Sequence, residues 1–252
     1  INVIPENKIA KKRIIQALHD VQASAAVSQA LADEMVKLAP LAKPPIVLRN
    51  GVDLDFFHSD AAKPKMPFKI EADEKLILSV GNLVELKGHH LVIEAISSLD
   101  KVKLIIIGEG EEKPTLQKLV KDLSLTERVY FTGNIRQAEL PGYYATADAL
   151  VLASSREGMP NVLLESLACG TPVIATNVGG SSEVITHEDA GEFIFERSAD
   201  QIVVALNNTF KRNISVANVR ALAEFFSWQK TTIKQQELLY SLCINTPMGA
   251  LK

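Results

Sequence analysis

Glu157 and Glu165 stand eight positions apart in the stretch REGMPNVLLESLACG (156–170), which follows the apolar run ALVLASS. The pattern predicts a buried strand, a loop carrying Glu157, and a helix opening on Pro160 with Glu165 inside it. Proline suits the first helical position, where its absent N–H is not needed. The free amides of Asn161 and Val162 then point out of the helix start, where the macrodipole favours a phosphate. A carboxylate there would repel that phosphate. Carboxylates accept hydrogen bonds and suit sugar hydroxyls, so a nucleotide diphosphate over the helix start could offer its ribose to one glutamate and a sugar to the other. On spacing alone the plainer reading is preferred: a loop charge at Glu157 and a solvent-facing Glu165.

Other candidates lie in loops that follow apolar runs. After LILSVG (76–81) comes NLVELKGHH, with Lys87 just before a helix. Such a lysine usually sits in solvent, and beside an anion-binding helix start it could neutralise a diphosphate. Gly179-Gly180 predicts a tight turn that also lets a ligand approach bare backbone. Gly108-Glu109-Gly110 begins like GxGxxG, but Lys113 occupies the third glycine position and no ribose-binding acid follows, so a nicotinamide site is disfavoured. His89 and His90 lack partners at metal-ligand spacing. No GxSxG or Cys/His arrangement suggests acyl transfer.

The elements that must position these groups alternate regularly. Strands are predicted at 25–28, 45–50, 76–81, 103–108, 129–133, 149–154, 172–176 and 191–195, with helical patterns between them. Strands apolar throughout, each followed by an amphipathic helix, predict a parallel sheet covered on both faces, that is, a doubly wound, Rossmann-like α/β fold. Ser198 or Asp200 is placed to cap the helix that follows. Two more helical stretches close the chain, the second reading WQKTTIKQQELLYSL.

Residues 58–74 are rich in proline and charge and predict a connector. The 57 residues before it are too few for a separate Rossmann core. They read as the remnant of another domain, and the opening on Ile1 suggests a fragment. Residues 58–252 would form the main domain.

The 252 residues are 47% hydrophobic, with a formal charge of −3 that gives no general pull toward nucleic acid. Cys169 and Cys243 lie in apolar helical contexts and predict reduced thiols in a cytoplasmic protein. The basic helix KIAKKR (8–13) admits a peripheral contact with anionic lipid at the inner membrane face, although a solvated charged face is preferred.

From about residue 46 to 240 the chain resembles the nucleotide-sugar-binding half of family-four retaining glycosyltransferases, which have the two-domain GT-B fold. The matching pieces are LRNGVDLDFF, SVGNLVELKGHHLVIEAI, LIIIGEGEE, VYFTGNI, the stretch 143–185, GEFIF and FSWQKTTIKQQELLY. Glu157 and Glu165 fit the family's EX7E signature. This resemblance implies that Glu157 sits near the transferred sugar, Glu165 holds the ribose, and Lys87 stabilises the departing diphosphate. The amides of Met159, Asn161 and Val162 would assist Lys87, Gly81 and Asn82 would border the donor, and Asn134, Ile135 and Leu140 would flank the base. It further implies a UDP- or GDP-linked sugar donor, no divalent metal, and a glycan or lipid-linked acceptor bound through an N-terminal domain.

Asn82 replaces the arginine common in the family's GRLxxxKG segment, which leaves Lys87 as the main cation. The donor-binding half alone would bind a nucleotide sugar without transferring it. A non-catalytic nucleotide-sugar-binding module and a GT-B sugar-nucleotide epimerase remain alternatives, the latter weakened by the EX7E spacing.

Overall fold

The computed structural model describes residues 7–40 and 43–244. The outer ends of the two predicted units, residues 1–6 and 245–252, lie outside the described residues. A small unit comes first: α1 (Lys8–Asp20), β1 (Ala25–Ala26), α2 (Gln29–Leu38) and β2 (Ile46–Val47), with β1 and β2 paired in parallel. Its buried apolar cluster consists of Ala26, Ala32 and Met35. α1 buries no residue, in keeping with a helix whose polar face is broad.

The large unit is a six-stranded parallel sheet. Its strands are β3 (Lys75–Val80), β4 (Val102–Ile107), β5 (Val129–Gly133), β6 (Ala149–Leu152), β7 (Val173–Thr176) and β8 (Gly191–Ile194). Their spatial order is β5-β4-β3-β6-β7-β8. The connecting helices are α3 (His89–Ser97), α4 (Lys113–Asp122), α5 (Leu140–Thr146), α6 (Asn161–Ala168) and α7 (Ala199–Lys211), and α8 (Val216–Ala223) and α9 (Trp228–Ile244) follow. All eight predicted strands are present: β5 has the predicted bounds, β3 and β4 each lie one residue earlier, and the others are shorter at one or both ends.

The continuous apolar runs have a direct physical origin. Side chains alternate across a strand, so both sheet faces must be apolar when both are covered. Leu76, Leu78, Ile105, Ile107, Leu150 and Leu152 enter the core on one face. Ile77, Leu104, Ile106, Ala149 and Val151 enter the core on the other. Each fully buried Leu or Ile contributes about 1.5–3 kcal/mol.

Residues 58–74 form the irregular connector that their composition predicts, but they do not hang free. Met66, Phe68 and Ile70 pack on the large core. Val52 and Phe57, before the connector, are themselves members of that core. Arg220 of α8 donates to the carbonyls of Leu54, Phe57 and Ala168, tying this segment to the C-terminal end of α6. A cation there complements the negative end of the α6 dipole. Ser198 caps α7, accepting from the Gln201 amide at 3.4 Å.

The sheet reverses its winding between β3 and β6. Ligands of doubly wound sheets bind outside the carboxyl ends of strands at such a switch point. The loops after β3 and β6 carry Lys87 and Glu157.

Candidate functional site

The loop after β3 is built to hold Lys87 over the sheet edge. A 3-10 turn, Glu85–Lys87, ends on Gly88 at φ 72, ψ 24. A Cβ at Gly88 would collide with the Ala153 carbonyl oxygen, so the turn can sit directly on the end of β6 only because residue 88 is glycine. Ser155 N donates to the Leu86 carbonyl at 2.8 Å. Arg197, just beyond β8, donates to the carbonyls of Ala153 at 2.8 Å and Glu85 at 3.0 Å. Lys87 therefore arrives on a clamped turn, its stem packed over Gly81.

That placement brings two predicted site residues into contact: Lys87 Nζ and Glu157 Oε1 are 2.6 Å apart. Their side chains are 23% and 10% exposed, enough shielding for the pair to matter and enough opening for a ligand to compete. Asn82 stands exposed at the start of the same loop, bringing hydrogen-bonding capacity without charge.

α6 opens beside them. Its first residue is Asn161, one position later than the predicted helix start, and Pro160 is instead the cap at φ −77, ψ 111. Proline fixes φ at a value common to helix and extended chain, and ψ alone separates the two. No side chain caps this end, so the amides of exposed Asn161 and half-buried Val162 remain open toward an anion. Met159 is buried, and its carbonyl accepts from Asn50 Nδ2 at 3.1 Å. Asn50 Nδ2 also donates to Asn161 Oδ1 at 2.8 Å.

Glu165, the fifth residue of α6, does not join Lys87 and Glu157. It is half-buried and accepts from the hydroxyl of Tyr144 at 2.8 Å. Burial raises its pKa above the usual carboxylate value, and the Tyr144 bond opposes that rise. Burial likewise pushes the Tyr144 hydroxyl up, Glu165 adding to the effect. Tyr144 lies on α5, so the pair ties α5 to α6. Asn134, Ile135 and Leu140 lie in the loop between β5 and α5 and at the start of that helix, with Ile135 and Leu140 half-buried against the core.

Sequence reasoning missed Tyr144, Asn50 and Arg197. Their partners lie 21, 109 and 44 residues away or more, and no local spacing signals such contacts. Beside Glu157 a cleft of about 630 Å³ opens between α2 and the loops after β6 and β7, lined by Asp33, Glu34, Lys37, Arg156, Glu157 and Gly179 among others. Among the described residues, no group of three or more His, Cys, Asp or Glu side chains could hold a metal ion, and no helix is long and apolar enough to cross a membrane.

His89 is structural. Its Nδ1 meets Ser79 Oγ at 2.8 Å and its Nε2 meets the Asn82 carbonyl at 3.3 Å, which locks the β3 loop to the sheet. A carbonyl only accepts, so Nε2 carries the proton and Nδ1 accepts from the serine. Burial lowers its pKa from 6.5 to about 4. The unfolded chain therefore gains a proton below pH 6.5 that the folded ring refuses, and stability present above that pH is lost as pH falls toward 4. Urea unfolding should show roughly 2 kcal/mol less stability at about pH 5 than at neutral pH from this group. The loss should be absent from that share in His89→Gln. An unchanged pH slope in the variant would refute the assignment.

The family model for glycosyl transferases group 1 matches residues 62–223. The chain is 34% identical over 189 residues to a lipopolysaccharide core biosynthesis glycosyltransferase of Rhizobium meliloti, covering 72% of this chain and 53% of the relative. It is 32% identical over 236 residues to the N-acetyl-alpha-D-glucosaminyl L-malate synthase of Bacillus anthracis, covering 90% of this chain and 61% of the relative. The chain thus spans little more than half the length of these relatives. Among solved structures, sucrose-phosphate synthase from Thermosynechococcus elongatus superposes with a TM-score of 0.84 at 22% identity, covering 97% of this chain and 65% of that one. Anabaena HepE in complex with UDP-glucose superposes with a TM-score of 0.80 at 22% identity, covering 92% and 68%. The sheet order, the switch point and these matches agree on a GT-B fold, and the chain belongs to the group 1 glycosyl transferases.

Proposed function

We propose that this chain is the donor-binding part of a retaining glycosyltransferase that moves a hexose or N-acetylhexosamine from a UDP- or GDP-linked sugar to a glycan or lipid-linked acceptor. The observation that carries this reading is the Lys87–Glu157 pair, 2.6 Å apart, beside the uncapped start of α6. A diphosphate seated there meets a cation and open amides together. Lys87 then leaves Glu157 for the phosphate, and Glu157 turns to the sugar hydroxyls. Glu165 accepts from the ribose.

In the reaction, the bond between the anomeric carbon and the diphosphate breaks first, leaving an oxocarbenium-like sugar. The acceptor oxygen attacks from the same face, and its proton passes to the departing phosphate oxygen. Lys87 and the α6 amides act where the negative charge develops. No divalent metal is needed for this scheme. The relatives support transfer over epimerisation: they include a GDP-mannose-dependent mannosyltransferase of Mycobacterium tuberculosis, 33% identical over 172 residues. HepE, bound to UDP and UDP-glucose, supports the same donor class.

Calorimetric titration of the full-length protein with UDP, GDP and ADP in EDTA tests the proposal. One nucleotide should bind without metal. Glu157→Gln should bind it at least as tightly as wild type, because Lys87 no longer has a carboxylate to leave, while sugar transfer falls. Absence of binding by all three nucleotides would overturn the donor-site reading.

A further inference from the structure

Glu183 ends the 3-10 turn Gly179–Glu183 that follows β7. Its side chain is 14% exposed, and its carboxylate gathers two segments that are remote from it in sequence. One oxygen accepts from the backbone amide of Gln29 at 2.6 Å, the first residue of α2. The other accepts from Arg49 Nε at 2.7 Å and Nη2 at 2.6 Å, just after β2. A carboxylate at a helix start and against a guanidinium fork is held by charge at both contacts. Glu183 thereby fastens the small unit to the large one, beside the packing of Val27 on the large core.

The turn that carries Glu183 lies directly on the Glu157 loop. Gly180 N donates to the Gly158 carbonyl at 2.8 Å. Gly179 adopts φ +53, and a Cβ there would collide with the Glu157 carbonyl oxygen. Movement of the turn toward this loop would press on the Glu157 backbone, and movement away would break the Gly180–Gly158 bond. The start of α6 is held by Asn50, the residue after Arg49, and Glu165 is held by Tyr144. The Arg49 backbone is fixed apart from the clamp by Thr231 Oγ1, which donates to the Arg49 carbonyl at 3.1 Å.

We propose that Glu183 is a positioning residue: its clamp on Arg49 and on the α2 amide sets the 179–183 turn against Glu157, and so sets Glu157 relative to Lys87. The proposal rests on the donor-site reading given above. The orientation of the two units is thus transmitted to the group that faces the transferred sugar, and the nucleotide contacts are spared. Breaking the clamp should slow transfer while leaving nucleotide affinity in place.

The test uses the full-length protein with Glu183→Gln, Arg49→Gln, the double variant, and Arg49→Lys. Glu183→Gln keeps an acceptor for Gln29 and loses the charge pair. It should lower kcat about tenfold with nucleotide Kd changed by less than about twofold, a split that general loosening would not produce. The double variant should be no slower than the slower single variant, because the two residues share one interaction. Arg49→Lys, which keeps a charged donor, should recover most of the rate and remains informative if Glu183→Gln folds poorly. Amide hydrogen exchange over residues 156–159 should quicken in the slow variants. Unchanged kcat, or Kd rising in step with falling kcat, would overturn the proposal. A wild-type protein that binds no nucleotide would overturn the donor-site reading instead, and the exchange rates over 156–159 would then decide the role of the clamp alone.

Discussion

Replacing Lys87 with alanine in the full-length protein should lower sugar transfer by about 10²–10³-fold, the usual loss when one preorganised charge-stabilising group is removed. The expectation follows from where the side chain stands. Its turn is clamped by Arg197 and Ser155 against the end of β6, so the ammonium is held in place before any ligand arrives. No second cation replaces the charge at position 82, which is asparagine. The ligand-free protein should also lose stability, by about 1–3 kcal/mol, because Glu157 is only 10% exposed and would be left without its cation. Lys87→Ala combined with Glu157→Gln should recover most of that stability and none of the activity, separating the two effects. Affinity for nucleoside diphosphates should fall more than affinity for monophosphates. Equal affinity of Lys87→Ala and wild type for UDP and GDP would refute the role assigned to Lys87.

The strands were legible because a parallel sheet demands apolar side chains on both faces, and runs such as KLIIIG announce that demand locally. Helix starts were legible to within a residue. Pro160 misleads by one position because proline dictates φ and leaves ψ to its surroundings. The candidate site residues were read as types in strand-end loops and at one helix start, and the roles proposed for them come from the resemblance to a family. Their mutual arrangement was not legible. Lys87 meets Glu157 because β3 and β6 are neighbours, and strand order is a property of how the chain winds rather than of any local pattern. Tyr144 was hidden for a related reason: an aromatic residue on a short apolar helix reads as core until a buried carboxylate is seen against its hydroxyl. Arg49 and Glu183, 134 positions apart, give no sequence signal of their pairing.

Glu165→Gln should weaken nucleotide binding by about 10- to 100-fold, the range expected from losing hydrogen bonds to a charged acceptor, while leaving the folded protein at least as stable as wild type at neutral pH. The two halves of this prediction come from the same burial. Glu165 is half-buried with its pKa raised, so the fold disfavours its ionised form. Such a group subtracts stability above its folded pKa, and the penalty fades as pH falls and the carboxyl takes up a proton. Glutamine removes the charge and still accepts from the Tyr144 hydroxyl, so no buried donor is orphaned. A residue kept for structure would behave in the opposite way, losing stability on neutralisation and leaving nucleotide affinity untouched. The pH dependence supplies an independent check. The ionised carboxylate is the stronger acceptor for ribose hydroxyls, so wild-type affinity should weaken as pH falls through a value above 4.5. Tyr144→Phe removes the one bond that opposes the rise, and the weakening should move to higher pH. Calorimetric affinities across this range, set beside thermal midpoints for wild type, Glu165→Gln and Tyr144→Phe, decide the matter: a Glu165→Gln protein that binds nucleotide as wild type does would show that Glu165 serves only to anchor Tyr144.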